Sequence, residues 1–448
     1  MDIYTLNLLG LLGLCTLLFG IKTLQKPSPP PSSATTKAPS NPPPSKWPFL
    51  TVYALVMASD WLQGPFLYPL YHDTHRLPPP LITTLFTTGF LSAAGAGSLT
   101  GSLADRHGRK AACLAFCGIY AASCALTAVG PSVPLLVLGR VLGGVGTSLL
   151  FSVFESWMVA DWRGKGGEGE LGGMFGVMGT VNSLVAIACG VGSEWVVGWT
   201  GRREAPFWGA VGCCVVAAGV IWGVWDENYG EAAVGGGKEG AAGKETVGAA
   251  TKKSAWAVLL DPRVLALGLC STIFEGSMYL FVFFWAPALR SMTTTTTATL
   301  PYGVIFAAFM AATLASSLAF GIITARKMAS YVSLLLCVLG SSSICFLLSS
   351  RPASEQSAFW VFCAFEAAVG MYFPSMGYMK GRLVDDGVRA QVYGMLRVPL
   401  NVFVVVSLML TGNGAGFEGV FFVCSSLLML ACSALWLTTT GQGTPQAA

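Results

Sequence analysis

Arg140 and Arg397 are guanidinium groups set deep in apolar sequence, and Asp60, Glu155, Glu275 and Glu366 are carboxylates in similar surroundings. An ionisable group in hydrocarbon is expensive, so each of these needs a partner or a wet cavity. A guanidinium keeps its charge and offers forked donors that match two oxygens of an oxyanion at once. The chemistry these residues suit is therefore capture of an anion as it leaves water. The plainer alternative is a set of buried salt bridges that hold helices together. Four carboxylates against two arginines exceed that role, so at least two acids must be protonated, hydrated or switching. Gln63, Tyr68, Trp157, Asn182, Tyr279, Trp285 and Asn401 lie in the same stretches and can add hydrogen bonds or walls. Helix packing or an interfacial belt explains each aromatic equally well.

The elements that must position these groups are membrane helices. Of 448 residues 53% are hydrophobic and only 11% charged, where a soluble chain carries about a quarter. Most of the surface therefore faces something other than water. The net charge of +4 is spread over short loops, which excludes a nucleic-acid patch. There is no nucleotide-binding glycine loop, zinc spacing or nucleophile elbow, so neither an enzyme nor a cofactor is expected. His72, His75 and His107 lie in loops without ligand spacing. The thirteen cysteines sit mostly inside apolar runs without CxxC spacing, as small buried residues of helix packing do.

A bilayer core takes about 20 apolar residues per helix. Apolar runs occur at roughly 3–21, 48–71, 81–103, 111–129, 133–160, 171–198, 205–225, 262–288, 301–323, 330–349, 357–380, 388–411 and 416–438. The first is followed by a Pro-rich linker (23–46) that cannot form a packed core. A soft tract rich in Gly, Ala and Lys (226–261) divides the remaining twelve into bundles at 47–225 and 262–438, with a tail at 439–448. The expected architecture is an all-α membrane protein with six plus six helices and one extra N-terminal span. That span has Asp2 before it and Lys22 and Lys26 after it, and no small-x-small cleavage site. It reads as a retained anchor with its N-terminus outside.

Charge orients the rest. With the Pro-rich linker inside, nineteen Lys and Arg, Lys380 among them, fall on the cytoplasmic side and five outside. Only Arg140 and Arg397 remain within the membrane. Arg140 and Glu155 share the fourth core helix, about 22 Å apart at the helical rise.

The loop after the second core helix reads Gly101-Ser-Leu-Ala-Asp105-Arg106-His-Gly108-Arg109-Lys110. Its glycines allow a tight turn and close helix approach, and Asp105 can meet a helix N-terminus or a basic partner. A degenerate echo begins Gly321-Ile-Ile-Thr-Ala325-Arg326-Lys327, and Arg140-x-x-x-Gly144 is echoed by Glu366-x-x-x-Gly370. Repeats in the same orientation are what two pseudo-symmetric halves leave behind. The loop resembles the signature loop of the major facilitator superfamily. Longer strings resemble the eukaryotic molybdate-anion transporter family: Ser59–Tyr68, Gly139–Trp157, Asp226–Tyr229, Leu280–Pro287, Tyr372–Met376 and Arg397–Asn401.

The resemblance implies a major facilitator fold whose helices 1, 4, 7 and 10 line a central cavity and whose helix 11 is peripheral. It also implies a carrier that takes up molybdate or a similar tetrahedral oxyanion by alternating access, with protons as possible coupling ions. Arg140, Arg397, Asp60, Gln63, Tyr68, Glu155, Trp157, Glu275, Tyr279, Glu366 and Asn401 are then the expected substrate-binding group. Asp105, Arg106 and Arg109 are the expected gate. The chain is expected as a multi-pass monomer in the lipid bilayer of the plasma membrane. A carrier for sulfate, phosphate, a sugar or an organic ion, and a receptor that binds without translocating, stay open at this point.

Overall fold

The computed structural model describes residues 2–24, 46–97, 99–130, 132–165, 171–229, 258–292, 300–351, 354–384, 389–412 and 416–440. The Pro27–Pro44 stretch, most of the Gly, Ala and Lys-rich tract, and the tail from 441 lie outside the described residues. Within them the chain is helical, with no strand. In order the helices are α1 (Ile3–Leu24), α2 (Trp47–Gln63), α3 (Pro79–Gly97), α4 (Thr100–His107), α5 (Arg109–Val129), α6 (Val133–Leu150), α7 (Val153–Gly164), α8 (Leu171–Thr200), α9 (Ala205–Val224), α10 (Pro262–Met292), α11 (Tyr302–Ala325), α12 (Tyr331–Ser349), α13 (Glu355–Leu383), α14 (Arg389–Gly412) and α15 (Phe417–Thr440).

Ten segments among the described residues are long and apolar enough to cross a membrane, with α6 and α7 together forming one of them. Of the other three expected spans, those on α2 and α3 are interrupted, each for a local reason. α2 stops where Gly64 and Pro65 tighten the chain into a 3₁₀ turn, and Pro69 leads into a wider π turn over Leu70–Thr74. A proline lacks the N–H that would continue the ladder. α3 ends at Gly97 and is continued by the polar α4. α14 runs unbroken over Arg389–Gly412 and carries Pro399 within it.

Two compact units form. One takes residues 1–78, 92–231 and 300–322, and the other takes 79–91, 232–299 and 323–448. In the first, α5 packs on α6 and α9, and α2 packs on α9 and α8. In the second, α12 packs on α13 and α15, and α10 packs on α15 and α14. Counting core helices, the second scheme is the first moved along by six. That common packing scheme, more than the weak echoes in sequence, is the mark of an internal repeat.

α1 packs along α11 inside the first unit. The Cys15 thiol donates to Ala311 O at 3.2 Å, and further along Lys22 lies against Gly321. Rising numbers on one helix meet rising numbers on the other, so α1 and α11 run parallel. Only Tyr4, Leu8 and Cys15 of α1 are buried, which leaves the rest of its apolar surface to lipid.

Candidate functional site

In the first unit the polar centre is built on α2, α5 and α6. Asp60 and Gln63 lie one turn apart on α2, so both meet the same neighbour. That neighbour is Tyr120 of α5. Its hydroxyl donates to Asp60 Oδ1 at 2.5 Å and accepts from Gln63 Nε2 at 2.7 Å. The ring fits because residue 146 of α6 is glycine. A Cβ there would stand 2.6 Å from Tyr120 Cδ2, closer than side chains pack.

Arg140 of α6 reaches the same region. Nη2 donates to Thr127 Oγ1 at 3.5 Å, and the guanidinium lies 5.9 Å from the centre of the Tyr71 ring. Its charge acts on Asp60, but the two form no direct ion pair among the described residues. Arg140 Nε and Gln63 Oε1 are buried without a hydrogen-bond partner among the described residues. Buried polar atoms are normally satisfied, so an unpaired guanidinium N–H marks a place that suits an acceptor. Trp61, beside Asp60, donates to Asn182 Oδ1 at 2.8 Å, and Tyr68 stacks on His72 at 5.6 Å.

In the second unit the centre lies on α10 and α13. Glu275 Oε1 accepts from Ser271 Oγ at 2.7 Å and from the Tyr372 hydroxyl at 3.0 Å. Lys380 stands 3.8 Å from the same oxygen. Lys380 is one of the basic residues counted on the cytoplasmic side. α13 continues to Leu383, and the lysine leans back into the bundle. Arg397 of α14 is exposed, within electrostatic reach of Lys380 and Tyr279. Tyr279 meets Phe90 edge-on at 5.2 Å. Glu366 and Trp285 are buried, and Asn401 is half-buried.

A third group lies at the basic end of the first unit. Arg109 Nε and Nη2 both reach Asp105 Oδ1 at 2.8 Å, across the turn at Gly108. Asp105, Arg109, Glu155, Arg163 and Tyr229 line a cavity of about 650 Å³. The structure thus puts Glu155 with Asp105 and Arg109, and not beside Asp60. Trp157 stacks on Trp225 at 3.7 Å and donates to Asp226 O at 2.9 Å, so it also serves this end. Glu227 accepts from the Lys110 and Ala111 amides at 2.7 and 3.0 Å, capping α5. Lys110 Nζ donates to Trp222 O and Trp225 O at 3.2 and 2.6 Å, capping the end of α9. Gly108, at φ 108°, takes a conformation that suits glycine, and a Cβ there would meet the Glu227 carboxylate at 2.5 Å.

Sequence reasoning missed Tyr120, Ser271, Lys380 and Glu227. Tyr120 and Ser271 give no signal beyond being polar in apolar helices. Lys380 was visible as the last residue of the 357–380 run. Glu227 was visible in the Asp226–Tyr229 string. Glu194 of α8 is a further carboxylate within an expected span, and it accepts from the Gly303 amide at 2.7 Å.

One packing scheme repeated in the two units, and ionisable side chains gathered inside each, define a secondary transporter of the major facilitator fold. Solved structures share that fold. A nucleoside transporter matches with TM-score 0.66 and 13% identity over 87% of this chain and 98% of that one. A D-xylose–proton symporter matches with TM-score 0.64 and 11% identity over 87% and 96%. A major facilitator family model described as sugar transporters with 12 TM matches residues 6–357. The molybdate-anion transporter of Xenopus tropicalis is 31% identical over 86% of this chain and 84% of its own length. That of Xenopus laevis is 30% identical over 95% and 92%. The chain belongs to the molybdate-anion transporter family of the major facilitator superfamily.

Proposed function

We propose that this protein takes up molybdate across the plasma membrane by alternating access, with protons as the coupling ion. Membership of the family supports the substrate, since its curated relatives carry the molybdate-anion transporter name. The observation that carries the site is Arg140, whose buried Nε has no hydrogen-bond partner among the described residues. A tetrahedral oxyanion offers the acceptor that this donor lacks, and a guanidinium fork grips two of its oxygens. Arg397 assists as a second cation. Tyr68, Tyr279, Glu366 and Asn401 complete the surroundings of the path, while Asp105, Arg106 and Arg109 act at the gate with Glu155.

The carboxylates give the coupling its sign. Ionised Asp60 or Glu275 repels a divalent anion, so protonation of one of them favours loading. Uptake therefore rises as external pH falls, and replacing the responsible acid by its amide flattens that dependence. The test is labelled molybdate uptake into vesicles that hold the purified chain, with sulfate as competitor and a pH series. Absence of saturable molybdate uptake overturns the reading. The family description names sugars, so labelled D-xylose belongs in the same assay.

A further inference from the structure

A lysine near the end of a membrane helix ordinarily runs outwards, its stem along apolar surface and its ammonium in water. Lys380, three residues from the end of α13, does the opposite. Its Cα–Cβ bond tilts back toward the start of the helix, as helical ones do. Nζ then donates to Ser271 Oγ at 2.9 Å and stands 3.8 Å from Glu275 Oε1. The two side chains are only 18% and 21% exposed. At 3.8 Å ammonium and carboxylate attract without sharing a hydrogen bond.

The arrangement around Glu275 Oε1 is the informative part. A serine hydroxyl at 2.7 Å, a phenol at 3.0 Å and an ammonium at 3.8 Å converge on one anionic oxygen. That donor set suits an oxygen of a tetrahedral oxyanion as well as it suits a carboxylate. Arg397 adds a second positive charge within electrostatic reach of Lys380.

We propose that Lys380 is the cation with which the second unit binds the transported oxyanion, and that Glu275 is a resident counter-ion holding its place. The inference rests on the oxyanion reading above and adds a ligand to it. Ser271 and Tyr372 keep their donor roles when the incoming oxygen replaces Oε1, while Lys380 follows the larger charge. A compact ammonium with three donors on a flexible stem can make that exchange.

The experiment is equilibrium binding of labelled molybdate, sulfate and phosphate to the purified full-length chain. It compares the native protein with Glu275→Gln, Glu275→Gln/Lys380→Ala and Glu275→Gln/Lys380→Arg. Glu275→Gln should bind molybdate several-fold more tightly, because the competitor is gone. Adding Lys380→Ala should weaken binding by about tenfold or more relative to Glu275→Gln, and Lys380→Arg should recover most of the loss. The two charges are removed together, so the double variant carries no stranded acid.

In the native protein, saturating molybdate should also protect Lys380 from a small amine-reactive reagent, read by mass spectrometry. This keeps the idea testable if a variant does not fold. Binding by Glu275→Gln/Lys380→Ala equal to that of Glu275→Gln, or unchanged labelling of Lys380, overturns the inference and leaves the molybdate reading standing. Sulfate or phosphate binding with the Lys380 dependence, but no molybdate binding, overturns the substrate and keeps the site. Binding of none of the three anions overturns both.

Discussion

The Tyr120 hydroxyl donates to Asp60 Oδ1 at 2.5 Å, which ties α5 to the acidic residue of the first core helix. The Tyr120 hydroxyl also accepts from Gln63 Nε2, so one phenol fixes two α2 side chains. Tyr120→Phe keeps the ring in its Gly146 recess and removes only these bonds. It should cost about 1 kcal/mol in stability and weaken molybdate uptake, with the fold intact by thermal unfolding in detergent. Uptake equal to the native rate would show that Asp60 needs no such orientation.

Arg140→Lys keeps a charge on α6 but loses the fork, and Arg140→Ala loses both. Molybdate affinity should fall in that order, with the alanine variant at least about tenfold weaker. An alanine variant with native affinity and rate would return Arg140 to a packing role.

Asp105 pairs with Arg109 at 2.8 Å on the rim of the 650 Å³ cavity, apart from the Asp60 and Tyr120 group. Asp105→Asn should slow transport while equilibrium molybdate binding stays nearly unchanged. A large loss of binding would make Asp105 a ligand and not a latch.

Glu227 satisfies two amides at the start of α5 and helps tie the end of α9 to it. Glu227→Ala leaves those amides without their acceptor and should cost about 1 kcal/mol, as lost helix caps do. Glu227→Gln keeps an acceptor and should lose less. Unfolding midpoints for the three proteins measure this directly, and equal midpoints would refute the clasp.

The parallel packing of α1 on α11 links the orientation of the first span to that of the eighth core helix. With the basic loops inside, both enter from the outer face. A tag at Met1 should be accessible from outside intact cells, and access only after permeabilisation would reverse the assignment.

The spans were legible because hydrocarbon leaves a helix few alternatives, so apolar runs of the right length report their own structure. The interruptions at Gly64 and Gly97 were less so. They follow from single residues within runs that remain apolar on average. Arg140 and Asp60 stood out because charge in such runs is costly. Their lack of direct contact did not, since it depends on how α2 and α6 are turned around α5.

The amino-acid sequence by itself determined the helical class, the six-plus-six count, the charge asymmetry and the family, because each is a property of composition or local order along the chain. Tertiary structure alone decided which acid meets which base. Tyr120 reaches Asp60 because Gly146 admits its ring, and Lys380 stands near Glu275 because its ammonium donates to Ser271, one turn away on α10. Glu155 and Trp157 face Asp105 and Trp225 because the fourth core helix breaks at Phe151–Ser152 and places its second part at the basic end. Contacts of this kind depend on helix rotation and depth, where one residue of register turns a side chain by about 100°. No spacing within a single helix encodes the rotation of its neighbour.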